Sequence, residues 1–134
     1  MKYNGNFSHD LEVGQIAEQD LNRLFNKTKI EVKMDFMAHK TGNFYVEYNS
    51  FKKPSGIAIS EADFWCIYIM TKKGKRLQDN PKLAIEKDDV QTVIILSSDR
   101  LKHLCKTKYF RKGVIGGDLD ASVGLLIKVK DLVV

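Results

Sequence analysis

The chain has 134 residues, enough for one domain with its own core and too few for a second. Its composition, 43% hydrophobic and 29% charged, is that of a soluble globular protein, and no apolar run approaches the roughly 20 residues that a membrane-spanning helix needs. The net charge of +5 favours a polyanionic partner, with positive charge bunched in TKKGKR (71–76), in FKKPSG around residue 52 and between Arg100 and Lys112.

Residues 1–9 read as a loose arm or an edge strand. From Asp10, which suits an N-cap, the pattern turns helical: Leu11, Gly14, Glu18, Leu21 and Phe25 fall on one face. Glu18 therefore lies in the apolar stripe, either at its rim or buried with a partner, because an unpaired buried charge costs several kcal/mol. KIEVKMDF (29–36) alternates apolar and charged residues, the signature of a half-buried strand. A short connection, AHKTGN, leads to a second alternating run, FYVEYNSF, and the pair suggests a β-hairpin. With the turn near Lys40, Lys33 faces Glu47 and Asp35 faces Tyr45. Glu31, Lys33, Asp35, Tyr45, Glu47 and Asn49 then share one face, and Ile30, Val32, Met34, Phe36, Phe44, Val46 and Tyr48 share the apolar one.

KKPSGIAISEAD is a loop in which Ser60 and Asp63 form a variant capping box for a short helical turn. WCIYIM reads as a central strand. Beyond a polar stretch (Thr71–Asp89), VQTVIIL reads as another buried strand, and Ser97 or Ser98 caps a basic helix, DRLKHLCKTKY. A glycine-containing loop, RKGVIGGDLDAS, precedes a last strand, VGLLIKV. Its GGD could be a turn or a backbone nest. The expectation is a single domain over residues 1–134, α/β (α+β), with one mixed β-sheet flanked by a few helices.

The N-terminal MKYNGNFSHD lacks the apolar region of a secretory signal, and Cys66 and Cys105 suggest no disulfide framework, so a reduced, cytoplasmic protein is expected. Cysteines and histidines fall at no zinc-ligand spacing, and His39 and His103 read as surface residues. Cys66 reads as a small core residue. Trp65 reads as core, with base stacking as its alternative.

Carboxylates and one lysine converging on a sheet face suit phosphodiester hydrolysis, since Mg²⁺ takes oxygen ligands and a compact cation can act beside the attacking water. In E-x-K, Glu31 and Lys33 project side by side, about 7 Å apart along a strand. An isolated E-x-K is usually a neutralised surface pair. Asp35 and Glu47 on the same face, and Glu18 on the preceding helix, are what give this one weight.

GQIAEQDL, with Glu18, and IEVKMD, with Glu31 and Lys33, resemble the helix and the apolar-E-V-K strand of the PD-(D/E)xK nuclease superfamily, which includes restriction endonucleases, RecB-type nucleases and archaeal Holliday-junction resolvases. The core resemblance covers about residues 10–50. TGNFYVEYNSFKKPSGIAISEADFW and the later GGD are similar to small phage members of the superfamily, which extends it over most of the chain. One departure stands out: the usual acidic residue on a strand before E-x-K is missing, and Asp20 points roughly 160° away from Glu18 on a helix. Asp35 or Glu47 is the expected replacement.

The resemblance implies a restriction-endonuclease-like core and a Mg²⁺-dependent DNA endonuclease, phage-type and structure-selective in the manner of a Holliday-junction resolvase. Mn²⁺ would substitute for Mg²⁺. Glu31 would ligate the metal, Lys33 would position or activate water, Glu18 would ligate directly or through water, and Glu47 or Asp35 would complete the set. Lys40, Lys52, Lys53, Lys72, Lys73 and Arg76 are candidates for gripping phosphates of branched or duplex DNA. Cutting both strands would need a homodimer, without a membrane partner, in the host cytoplasm if the chain is viral. The alternatives are a non-catalytic nucleic-acid-binding or regulatory protein retaining the nuclease fold, and a host-interaction protein that binds neither metal nor nucleic acid.

Overall fold

The computed structural model describes residues 7–109, 113–116 and 121–134. Residues 1–6 of the expected N-terminal arm and most of the GGD segment lie outside the described residues, whereas Phe7, Ser8 and His9, expected in that arm, are helical. A helix α1 (Phe7–Lys27) begins ahead of Asp10, which sits in its first turn rather than capping it, and leads through Thr28 and Lys29 into strand β1 (Ile30–Asp35).

The expected hairpin does not form. The Asp35 carboxylate accepts the amides of Met37 (2.9 Å) and Ala38 (2.7 Å), which winds the chain into a short helix, α2 (Ala38–Thr41), where a turn was expected. Gly42, at φ +72°, closes that helix and sends strand β2 (Asn43–Ser50) into a different sheet. A tight turn through Phe51 and Lys52 leads to β3 (Lys53–Pro54). The only helical turn of the following loop is Gly56–Ala58; Ser60 instead accepts the Ala62 amide, and no helix forms at the expected capping box.

Strand β4 (Phe64–Met70) matches the expected central strand. The polar stretch after it holds α3 (Arg76–Asp79), and β5 (Val90–Ser97) follows. The Ser97 hydroxyl caps α4 (Ser98–Thr107) by accepting the Arg100 amide at 3.1 Å, as expected. Part of the expected glycine loop is a strand, β6 (Gly113–Gly116). The last strand, β7 (Ser122–Lys128), is followed by α5 (Val129–Leu132), which the sequence did not announce.

The domain is mixed α+β, with few helices and one mixed sheet. The strands nevertheless divide between two sheets, a correction to the expected single one. One is three-stranded, ordered β1-β4-β5, with β1 parallel and β5 antiparallel to β4. The other is four-stranded and antiparallel, ordered β3-β2-β7-β6. One core joins them: Trp65, Ile67 and Ile69 of β4 and Ile94 and Leu96 of β5 cluster with Phe44, Val46, Leu125 and Ile127 of the second sheet and with Leu101 and Leu104 of α4. Among the described residues no helix is long and apolar enough to cross a membrane.

Register decides which face of β1 looks inward. Glu31 pairs with Trp65, Lys33 with Ile67 and Asp35 with Ile69, so the charged face lies on the core side of the sheet. Val32 and Met34 project to the other side, where Val32 is 56% exposed. The two faces are therefore the reverse of the amphipathic reading. An edge strand can tolerate this because its inward side chains reach solvent at the rim of the core.

Candidate functional site

Where β1 leaves the core, the space beside it opens into a cleft of about 430 Å³ whose walls include Glu31, Lys33, Glu47, Gly56 and Ser60. An adjoining recess of about 220 Å³ shares Lys33, Glu47 and Gly56 and adds Tyr45 and Trp65. Glu31, Lys33 and Glu47 therefore do meet. They come from strands of two different sheets, without the hairpin register that the sequence suggested.

Lys33 is central. Its ammonium lies 3.0 Å from Glu31 and 5.8 Å from the centroid of the Trp65 ring, and both partners of the ion pair remain partly exposed. Trp65 itself is 2% exposed, and its indole N–H is buried with no hydrogen-bond partner among the described residues.

Glu47 is held from the other side. Hydrogen bonds from the hydroxyls of Ser122 and, at 2.8 Å, of Ser55 keep its carboxyl below the usual carboxylate range; partial burial opposes them and the Lys33 charge assists. Ser122 has one proton to give, so in donating it to Glu47 it accepts from the Tyr45 hydroxyl, 2.6 Å away. Gly56 makes this approach possible: at φ +52°, a Cβ there would lie 2.2 Å from the Glu47 carbonyl oxygen.

The remaining expected residues divide. Asp35 has its carboxylate taken up by backbone amides, those of Met37 and Ala38 and, at 3.5 Å, that of Tyr45. Glu18 is exposed on α1 and lines neither the cleft nor the recess. Arg76 makes a bidentate pair with the fully buried Asp89, at 3.0 and 2.6 Å, and reaches the Ala84 carbonyl at 3.1 Å. A buried aspartate demands such a partner, and Arg76 is accordingly a latch for residues 76–89. Lys73 pairs with Glu86 at 3.5 Å and with Asp88 at 4.0 Å. Lys40, Lys52, Lys53 and Lys72 are exposed.

Ser55, Ser122 and Tyr45 as a hydrogen-bonded unit were not anticipated. The S-G step in KKPSG marked a turn, yet no local pattern connects Ser122 with a glutamate in β2. Among the described residues no three His, Cys, Asp or Glu side chains converge as a metal-ligand group. The arrangement offers two carboxylates, one of them favoured in its ionised form, beside one ammonium at the mouth of an open cleft. Comparison with protein families, curated proteins and solved structures returned no match.

Proposed function

We propose that this chain is a metal-dependent DNA endonuclease with a restriction-endonuclease-like core and a two-carboxylate site formed by Glu31 and Glu47. The observation that carries the reading is that Glu31, Lys33 and Glu47, drawn from separate sheets, line one open cleft. Mg²⁺ characteristically takes one or two protein carboxylates and fills its shell with water and substrate phosphate. Glu31 and Glu47 fit that donor set, and the hydroxyls on Glu47 favour its charged form. When bound, the cation would supply Lewis acidity toward a phosphodiester and a more acidic attacking water. Lys33 offers its ammonium to the scissile phosphate or the attacking water, at the mouth of the cleft. The Ser55 and Ser122 hydroxyls orient Glu47 in the role of supporting residues.

DNA is the preferred substrate on charge and on the resemblance of IEVKMD to nuclease strands, with Lys52 and Lys53 exposed beside the β2–β3 turn to track phosphates. A domain this small has little surface for base readout, which favours shape and backbone recognition and hence a branched or distorted duplex.

One observation favours a second reading, a non-catalytic nucleic-acid-binding protein: Lys33 is already paired with Glu31, so the charges of β1 can neutralise each other without a metal. Cleavage separates the two. Labelled four-way junction, linear duplex and single-stranded DNA are incubated with Mg²⁺ or Mn²⁺ and the parent chain, Glu31→Ala, Lys33→Ala or Glu47→Ala. Metal-dependent cutting lost in all three variants supports the nuclease. Equal, salt-sensitive binding by all four proteins without cutting makes the binding module the correct reading.

A further inference from the structure

We infer that α1 docks on a second copy of this chain, its apolar stripe covering the bare outer face of the other copy's β1, β4 and β5, with the reciprocal helix doing the same. The inference is independent of the nuclease reading.

Two uncovered apolar surfaces in one chain motivate it. None of the 21 residues of α1 is buried, although Phe7, Leu11, Leu21 and Phe25 form a stripe, interrupted by Glu18, whose carboxylate needs a rim position or a basic partner when the stripe is covered, and Phe7 is 71% exposed. Most helices in proteins depend on tertiary packing of such a face for their stability. The outer face of the three-stranded sheet is bare around its buried centre, Cys66. Val32, Cys66 and Ile95 lie in register across it, as do Met34, Tyr68 and Val93, and Val93 is 46% exposed. Exposed apolar surface of this continuity marks an interaction site.

The chain's own helix is held off its own sheet. Only Thr28 and Lys29 separate α1 from β1, and both are pinned: the Thr28 hydroxyl donates to the Leu24 carbonyl, the Lys29 amide donates to the Asp63 carboxylate at 3.1 Å, and the Asp63 amide donates to the Lys29 carbonyl at 2.8 Å. Charge favours exchange between copies. Helix α1 carries four acidic and two basic residues, whereas the chain from Thr28 onward carries nineteen basic and thirteen acidic ones. Gly14, in the middle of the stripe, has nothing within 4 Å of the position of a Cβ. A glycine there costs a helix roughly 1 kcal/mol relative to alanine, and it gains a purpose where another backbone approaches closely. A 21-residue helix is about 31 Å long, and two reciprocal docks are of the order of the ~1,600 Å² of a standard interface.

Sedimentation of the full chain over a concentration series, with Leu21→Glu and Val93→Glu, tests the exchange. Leu21 and Val93 are both exposed within one chain, so the near-ultraviolet circular dichroism of the core around Trp65 should be unchanged in either variant, whereas the helical signal of α1 should fall with the loss of the dimer. The parent should sediment at twice 15.3 kDa and each variant alone at 15.3 kDa, while their equimolar mixture should regain a dimer, weaker than the parent's, through its one intact dock. Gly14→Trp should weaken dimerisation at least 10-fold while leaving the monomer folded. A parent that stays monomeric at every concentration overturns the inference, because the helix then lies on its own sheet or in water. Dissociation by Leu21→Glu alone overturns it too, since the helices would then pair with each other. Unchanged association in all three variants does so as well.

Discussion

The Lys33 ammonium stands over the Trp65 ring, 5.8 Å from its centroid, across the parallel pairing of β1 with β4. That contact follows from the register that turns the charged face of β1 inward, and it makes the chain's single tryptophan a reporter of the cleft. Lys33→Ala is expected to cost only about 0.5–1 kcal/mol in urea unfolding, the worth of a half-exposed cation–π contact, while altering Trp65 emission. If Glu31 and Glu47 hold a divalent ion, Mn²⁺ should quench Trp65 in the parent chain and much less in a Glu31→Gln, Glu47→Gln double variant. Equal quenching in both proteins would speak against an ion between these carboxylates.

Much of the fold was legible locally. Alternation and β-branched runs marked β1, β4, β5 and β7, and the Ser97 cap marked the start of α4, because each of these signals is carried by neighbouring residues. Pairing was not legible. Asp35 reads as one more charge on a strand, yet its capture of two amides turns the chain into α2, and β1 then pairs with a strand over thirty residues away. Alternation also gives two faces without saying which is inside; the edge position of β1 reversed the obvious answer. The meeting of Glu31, Lys33 and Glu47 was anticipated through a hairpin that does not exist. Ser122, from the far end of the chain, could not be anticipated at all.

Asp35 can be separated from the cleft by two substitutions. Asparagine can still accept the Met37 and Ala38 amides, whereas alanine cannot, so Asp35→Ala should lose about 1 kcal/mol of stability and Asp35→Asn only a few tenths. If Asp35 is a cap and not a ligand, Asp35→Asn should also keep any cleavage activity. A variant folded like the parent but inactive would return Asp35 to the metal site.

The Glu47 carboxyl supplies a pH dependence whose sign follows from its hydrogen bonds. Its acidity is strengthened in the folded chain, so its contribution to stability is fully present above the ordinary glutamate range and is lost as pH falls through the lower, folded value. Glu47→Gln, which weakens the hydroxyl–carboxylate bonds, should be less stable than the parent by about 1 kcal/mol at pH 7. The difference should shrink toward zero in acid. Denaturant melts of both proteins from pH 7 to pH 3 would check this, and a gap that stays constant would mean that Glu47 is not the titrating group.

Arg76 and Asp89 should behave as an internal latch. Asp89→Ala leaves the guanidinium without its bidentate partner, and Arg76→Met leaves a carboxylate buried and unpaired; both should lower the melting temperature clearly, Arg76→Met the more because the orphaned charge is the buried one. Neither should change the salt dependence of DNA binding, whereas Lys52→Ala or Lys53→Ala should reduce its slope by about one. A normal melt combined with weakened DNA binding in Arg76→Met would restore Arg76 to the phosphate-binding surface.

The β2–β3 turn carries strain that a substitution can release. Phe51 and Lys52 both have positive φ, 49° and 64°, as a two-residue type I′ turn requires, and left-handed backbone costs an L-residue with a side chain roughly 1–2 kcal/mol. Asn-Gly is the sequence that this turn prefers. Phe51→Asn with Lys52→Gly should therefore raise stability by about 1–2 kcal/mol in urea melts, with no change in the rest of the fold. Phe51 is 70% exposed beside two lysines, so the same variant asks what the strain is for. A base stacked on Phe51 would be lost, and affinity for single-stranded or branched DNA should then fall by an amount that Lys52→Gly alone does not reproduce. Stabilisation with unchanged DNA affinity would leave Phe51 as a strained surface residue.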